Sequence, residues 1–306
     1  MGWDPRRLPR LDGSTIVVTG ANAGIGFFAT AQLAAAGARV VLACRNEARA
    51  IAAMAAIHAR TPDARLSFLR LDTADLDSVR DAADAIGALG RVDALIENAG
   101  MVHAPPVRAT DGADNELVLS TNLLGHFALT ALTLPALSAT AAARIVLLGS
   151  MISRLYDFRI GDLQLRAHYS AARAYAHSKI GMQSFGFELD RRLRAASVRV
   201  AAVVAHPGYS ISGLTTGIPG VNEPSRSDRI IDALQSPLAQ SKQRGAWPIV
   251  RAAADPDAVG GQYWGPRFLT RGRPVLQTPT AVSSDPAVAA ELWTKLEEYT
   301  GVPFSL

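Results

Sequence analysis

"VVTGANAGIGFFATAQLAAAGARVVLACRN", residues Val17 to Asn46, decides how the rest of the chain reads. A β-branched run ends at three glycines, Gly20, Gly24 and Gly26. An alanine-rich segment follows, and a second apolar run closes on Cys44 and Arg45. Glycine loses more conformational entropy on folding than any other residue, so three in so short a span need a reason. One reason is a tight strand-to-helix turn. The other is a backbone cradle, in which missing side chains let an anionic group reach the amides of a helix N-terminus. The spacing is G-x-x-x-G-x-G rather than G-x-G-x-x-G, and alone it leaves both readings open.

The alternation continues outward from this stretch. Apolar runs at 15–18, 39–43, 66–71, 94–97, 144–148 and 198–205 predict strands. Helical patterns lie near 24–36, 46–59, 75–88, 115–137 and 175–196. Runs such as VVLAC and RIVLLG are apolar on both faces, as in a parallel sheet covered by helices on each side. This predicts an α/β fold, one doubly wound domain over residues 1–306 with a parallel sheet of about seven strands. After Pro207 the rhythm breaks. Residues 209–260 are rich in Gly, Pro and Ser, with helices predicted near 226–235 and 245–253. GGQYWGP (260–266) reads as a last strand. DPAVAAELWTKLEEYTG (285–301) reads as a closing helix at about 286–300, with Gly301 beyond its end.

The chain has 306 residues, 49% apolar and 19% charged, enough for a sizeable core. Its net charge of +4 rests on 28 arginines and three lysines, Lys179, Lys242 and Lys295. No basic run exceeds two residues, so no nucleic-acid partner is expected. Arg6, Arg7 and Arg10 predict a small solvated basic tail. Cys44, the single cysteine, excludes an internal disulfide and reads as a small buried hydrophobe. No apolar leader with a cleavage site is visible. The most apolar long region, 127–149, is broken by Pro135 and Arg144. No membrane span is therefore expected, and a cytoplasmic protein is. The six histidines show no metal spacing, and His126, His177 and His206 are expected in pocket walls or at the surface.

The chemistry concentrates in a few positions. YAHSK places Tyr175 one helical turn before Lys179, on the same face. A phenol with a pKa of about 10 is a poor base, but a neighbouring ammonium favours the phenolate. The pair can then exchange a proton with an alcohol or a carbonyl. In a chain that writes nearly every cation as arginine, a compact ammonium here has a physical purpose. Ser150 ends the run RIVLLGS, at the carboxyl edge where such sheets bind ligands. It can hydrogen-bond a reacting oxygen or cap a turn, and Ser153 competes with it. Asn98 follows the fourth strand, and Asn122 sits inside a helix, where an asparagine is unfavourable unless its amide meets something specific. After the second strand an acidic residue would hold a ribose hydroxyl and an arginine a 2′-phosphate; here Cys44 precedes Arg45. Arg45 is otherwise one more surface arginine.

Taken in order, T-G-x-x-x-G-I-G (19–26), N-A-G (98–100), Asn122, Ser150, Y-x-x-x-K (175–179) and P-G (207–208) resemble the short-chain dehydrogenase/reductase family over roughly residues 12–300. TGANAGIG, LACRN, NLLGHFALT, RAYAHSK, AHPG and GQYWGP resemble its retinol-dehydrogenase-like branch. The resemblance implies a Rossmann-type fold and an NADP(H) cofactor, preferred over NAD(H). Gly20, Asn22, Gly24, Ile25 and Gly26 would hold the pyrophosphate and Arg45 the 2′-phosphate. Asp72 would meet the adenine, and Asn98, Ala99 and Gly100 would lie beside the cofactor. Lys179 would bind the nicotinamide ribose and lower the Tyr175 pKa, with Pro207, Gly208 and Ser212 near the carboxamide. Tyr175 would exchange the proton, Ser150 orient the substrate oxygen and Asn122 hold a water in a proton relay. Three positions depart from the family pattern. Gly149 replaces a first serine, Glu97 a more frequent asparagine, and Ser212 a threonine.

The expected function is NADP(H)-dependent interconversion of an alcohol with a ketone or aldehyde. The alternatives are NADPH-dependent reduction of a C=C bond and a non-catalytic NADP-binding regulator. Residues 209–250 mix Ile211, Leu214, Ile218, Val221, Leu234, Leu238 and Trp247 with Gly217, Pro219 and Gly220. They read either as a lid over the substrate or as a surface excursion with its own small core. The segment lacks an arginine clamp near its start, so the expected partner is an apolar small molecule. A homo-oligomer stays open.

Overall fold

The computed structural model describes residues 3–5 and 7–306, so Arg6 lies outside the described residues. Six apolar runs become parallel strands, β1 (Thr15–Thr19), β2 (Arg39–Cys44), β3 (Arg65–Arg70), β4 (Ala94–Glu97), β5 (Ala143–Leu148) and β6 (Val200–Ala205). Between them lie α1 (Gly24–Ala35), α2 (Glu47–His58) and α3 (Leu76–Gly87). A continuous helix follows, made of α4 (Leu117–Leu119), a π-helical turn (Ser120–Leu124) and α5 (Gly125–Ser138); α6 (Ala171–Ala195) comes after β5. Beyond β6 come β7 (Ser210–Ile211), α7 (Arg226–Leu234), β8 (Gln240–Ser241), α8 (Lys242–Gly245), α9 (Trp247–Ala254), β9 (Tyr263–Pro266), β10 (Pro274–Leu276), α10 (Ala281–Ser284) and α11 (Pro286–Thr300).

The main sheet runs in the order β10-β9-β6-β5-β4-β1-β2-β3, eight strands against the seven or so expected, while β7 and β8 form a separate pair. The extra strand is β10, antiparallel to β9 through Val275↔Gly265. Its PVL is too short to carry a strand period, so only its pairing reveals it. The chain winds outward through β2 and β3, then reverses through β4, β5 and β6. A crevice opens where the winding reverses, between β1 and β4, with Val18 opposite Ile96. That crevice places the site.

Local chemistry sets the ends of the elements. Asn46 caps α2 by accepting from the Arg49 amide at 2.9 Å, and Asp75 caps α3. Ser170 caps α6, which therefore starts before the expected 175. β6 starts at Val200 because Ser197 turns the chain with φ +57°. α1 has neither a side-chain cap nor an acidic first turn, so its first amides are open.

Helices cover both faces. On one side α3, α5, α6 and α11 bury Phe127, Phe185, Trp293 and Phe304, with the Trp293 and Phe304 rings 4.7 Å apart. On the other, α1, α2 and α9 bury Phe27, Leu33, Ile57 and Ile249. Cys44 lies in this second layer, and burial pushes its thiol up to about 11. Arg7 and Arg10 are exposed as expected, but Trp3 and Leu8 pack against the second layer. The N-terminal segment is thus anchored rather than wholly solvated.

Candidate active site

The crevice is built from two loops that meet at the switch point. Gly20 follows β1 with φ +65°, and a Cβ there would sit 2.8 Å from the Ala99 Cα. Only glycine allows both the backbone turn and the close approach. At Gly26 a Cβ would lie 2.5 Å from the Gly20 carbonyl oxygen and against the Asn98 amide, so this glycine sets α1 tightly on the sheet. A Cβ on Gly24 would meet nothing within 4 Å. The three glycines therefore divide the work: two close the packing, and one leaves the uncapped helix end open. That open end fits a phosphate group.

Asn98 fixes the second loop. Its Nδ2 donates to the Thr19 carbonyl at 2.8 Å, and its own amide donates to Thr19 Oγ1 at 2.9 Å. Ala99 N also donates to Thr19 Oγ1, at 2.8 Å, so that hydroxyl spends its proton on His126 Nε2, 3.0 Å away. His126 Nδ1 then donates to the Asn122 carbonyl at 3.1 Å. Burial lowers the His126 pKa to about 4, which keeps the ring neutral and this tautomer in place. One buried hydroxyl thus ties β1, the loop after β4 and the π-helical turn together.

Asn122 is fully buried within that turn. Its Nδ2 donates to the Met101 carbonyl at 3.1 Å and to Ser178 Oγ at 2.9 Å, and its Oδ1 accepts from Met101 N at 2.7 Å. Both amide hydrogens are taken, so a water donated to by this residue's side chain has no hydrogen left to receive.

Tyr175, Ser150 and Lys179 converge on the carboxyl edge of β5. Tyr175 is half-buried on α6, with its phenol beside the Ser150 side chain. Ser150 also accepts from the Ile152 amide at 3.2 Å, so it caps a short turn and faces the phenol at once. Gln183 Nε2 braces it by donating to the Ser150 carbonyl at 2.8 Å. Lys179 Nζ is buried and donates to the Leu148 carbonyl at 2.8 Å. Burial raises the Tyr175 pKa, and the neighbouring Ser150 side chain offsets it in part. Lys179 is itself pushed down to about 8 by burial, opposed by Glu97.

Glu97 stands out as the residue the sequence marked only as a departure. It is wholly buried at the end of β4, accepts from Thr130 Oγ1, and leaves Oε2 without a partner. Desolvation pushes its pKa up to about 8 against the pull of Thr130 and Lys179. It is a neutral acid at physiological pH, set beside the lysine.

Arg45, exposed, and Asp72, half-buried, flank the outer end of the crevice as a pair, Nη1 to Oδ2 3.7 Å. Beside them a cavity of about 490 Å³ is lined by Asn22, Ala23, Ala48, Arg49, Ala52, Gly220, Val221 and Glu223. Arg49 was passed over in the sequence, although it lies four residues after Arg45. Part of the 209–250 segment reaches this side, since a Cβ on Gly220 would come 3.2 Å from the Ala52 Cβ on α2. Ile218 is buried there, whereas Leu234 and Leu238 face solvent. At the other end, a Cβ on Gly208 would lie 2.7 Å from Pro266, and the Pro207 carbonyl is occupied by Ser210 and Gln240. Ser212 is half-buried, and its carbonyl accepts from Asn222. His126, His177 and His206 are all buried, which closes the surface reading for them.

The family model of short chain dehydrogenases matches residues 14–218. Polyprenol dehydrogenase of Mus musculus is 37% identical over 266 residues, 85% of this chain and 77% of that protein. Retinol dehydrogenase 13 of Homo sapiens is 34% identical over 298 residues, 95% of this chain and 86% of that protein. A crystal structure of an uncharacterized protein from Mycobacterium Paratuberculosis superposes with a TM-score of 0.81 at 34% identity, over 100% of both chains. The cytoplasmic placement expected from the sequence does not stand. The relatives are named for polyprenol and retinol, alcohols that partition into lipid, and the chain holds a helix, Leu117–Ser138, of 22 residues, long and apolar enough to cross a membrane. In the folded protein 78% of that helix's most apolar window is buried in the core. The chain belongs to the short-chain dehydrogenase/reductase family of oxidoreductases, in its retinol-dehydrogenase-like branch.

Proposed function

We propose that this chain is an NADP(H)-dependent oxidoreductase interconverting an apolar ketone or aldehyde with its alcohol, with Tyr175 as the general acid and base. The observation that carries the reading is the Ser150 hydroxyl beside the Tyr175 phenol at the carboxyl edge of β5, with buried Lys179 one turn behind. A bound nicotinamide dinucleotide supplies the hydride for reduction or receives it in oxidation. The open end of α1 at Gly24 fits its pyrophosphate, and Arg45 with Arg49 offers charge for a 2′-phosphate.

This chain's own groups then handle the proton. A phenol whose pKa burial raises is protonated at neutral pH and can give its hydrogen to a carbonyl oxygen. The Ser150 hydroxyl holds the same oxygen. Lys179 would meet the ribose, with Asn98, Ala99 and Gly100 as the wall beside it. Asn122 braces that wall through Met101 and Ser178. Pro207, Gly208 and Ser212 would border the carboxamide end. The names of the relatives, a polyprenol and a retinol dehydrogenase, support an apolar alcohol as the substrate class.

Tyr175→Phe is expected to keep NADPH affinity, read by nicotinamide fluorescence, and to lower kcat by at least about 10²-fold, as loss of an acid–base group does. Turnover near that of the unmodified protein would remove Tyr175 from the mechanism.

A further inference from the structure

α7 is amphipathic, but inverted for a helix on a water-facing surface. Asp232 Oδ2 accepts from the Gly213 amide at 2.6 Å, and Arg229 Nη1 donates to the Gly213 carbonyl at 3.3 Å. The approach is close, since a Cβ on Gly213 would lie 2.6 Å from the Asp232 Cβ. The polar face therefore holds the helix to the protein. On the opposite face Ile230, Ile231 and Leu234 are 67%, 55% and 79% exposed, and Leu238 extends the row at 66%. No residue of α7 is buried. An ordinary surface helix buries its apolar stripe and wets its polar one.

A second observation says what covers this row. Tyr209 joins the end of α7 to the loop at 267–273, its hydroxyl donating to Gln235 Oε1 and its amide to the Thr270 carbonyl at 2.7 Å. Gly272 N donates to Gln240 Oε1 at 3.0 Å and completes the junction. The loop exposes Phe268, 66% accessible, between Arg267, Arg271 and Arg273. Residues 209–244 and 267–273 together carry seven basic side chains against three acidic ones, an excess equal to the whole net charge of +4. A second copy seated on this surface would bring like charge against like. A lid closing inward would need the apolar row turned toward the sheet, and the Asp232–Gly213 contact turns it away.

We propose that α7 and the 267–273 loop dock peripherally on an anionic lipid surface. Ile230, Ile231, Leu234 and Phe268 enter the acyl boundary, the arginines meet headgroup phosphates, and Tyr209 sits at the interface. β6 leads through Pro207 and Gly208 straight into Tyr209, so docking brings the carboxyl edge of the sheet to the lipid.

The test is co-sedimentation of the full chain with vesicles of phosphatidylcholine alone and with vesicles containing phosphatidylglycerol. The unmodified protein is expected to prefer the anionic vesicles. Ile230→Ser/Ile231→Ser should lower partitioning by at least about tenfold, and Arg271→Gln/Arg273→Gln should abolish the preference for anionic lipid. Melting temperature and circular dichroism should not change in either variant, since none of these side chains is buried. Failure of the unmodified protein to bind anionic vesicles, or equal partitioning by the serine variant, overturns the proposal. So does a dimer in buffer that the serine variant splits while vesicle partitioning stays the same.

Discussion

Glu97→Gln tests the most unusual feature of the site without touching its cofactor cradle. The carboxyl is wholly buried, and its pKa rises from an ordinary 4.5 to about 8, chiefly through desolvation. At about 1.36 kcal/mol per unit, the rise corresponds to about 5 kcal/mol. The sign follows from proton binding. Below 4.5 the folded and unfolded chains both hold the proton; between 4.5 and about 8 only the folded chain holds it. Stability contributed by the neutral acid is therefore present at acid pH and is lost as pH rises toward 8. Glutamine copies the protonated acid, keeps an acceptor for Thr130, and cannot ionise. Losing the carboxylate also lets Lys179 deprotonate sooner, which favours the variant further as pH rises. The assay is thermal or urea unfolding of both proteins at pH 5, 6, 7 and 8. The variant should gain on the unmodified protein with each step, by about 3.5 kcal/mol between pH 5 and pH 8, or roughly 7 °C in Tm at roughly 2 °C per kcal/mol. A constant offset from the amide would leave the slope intact. Parallel curves at all four values would show that Glu97 is ionised throughout, and the reasoning would fail.

Arg45→Ala should weaken NADPH about tenfold and leave NADH nearly unchanged, since a guanidinium–phosphate bond is charge-assisted; equal binding of both cofactors by the unmodified protein, in parallel titrations, would refute it. Gly26→Ala should destabilise the cofactor-free protein by about 1–3 kcal/mol, because its Cβ would press on the Gly20 carbonyl and on Asn98. Gly24→Ala has open space and a left-handed φ of +58°, so it should cost only about 1–2 kcal/mol and act mainly on cofactor affinity. Urea unfolding with and without NADPH separates the two.

The parts of this site that follow local rules were legible in the sequence. Tyr175 and Lys179 needed only the helical period, and β1, β2 and β4 only their apolar runs. The three glycines pointed correctly to the turn after β1, but their division of labour depends on Ala99 and Asn98, some eighty residues away along the chain. Glu97 looked like a simple replacement because its burial, its bond to Thr130 and its unpartnered oxygen are tertiary facts. His126 lies one turn after Asn122, a spacing visible beforehand, yet its role depends on a hydroxyl on β1. Lys179 was read as an acidifier of Tyr175; the burial of that phenol, which raises its pKa, is a tertiary fact that the helical period does not carry. Leu234 and Leu238 were rightly seen as apolar. Sequence cannot say which way a helix turns its face, and here Gly213 decided it.

The burial of Cys44 has a practical side. A thiol that is 1% accessible and titrates at about 11 has almost no thiolate at neutral pH, so maleimides and disulfide reagents should leave the unmodified chain alone. With no other cysteine but this buried one, a single cysteine introduced at an exposed position, such as Ser227→Cys on α7, would be the only accessible thiol for a thiol-directed fluorophore or spin label. The protein thus comes with a silent background for reporters. A probe could be placed beside the outward apolar row without first deleting a native residue from the core.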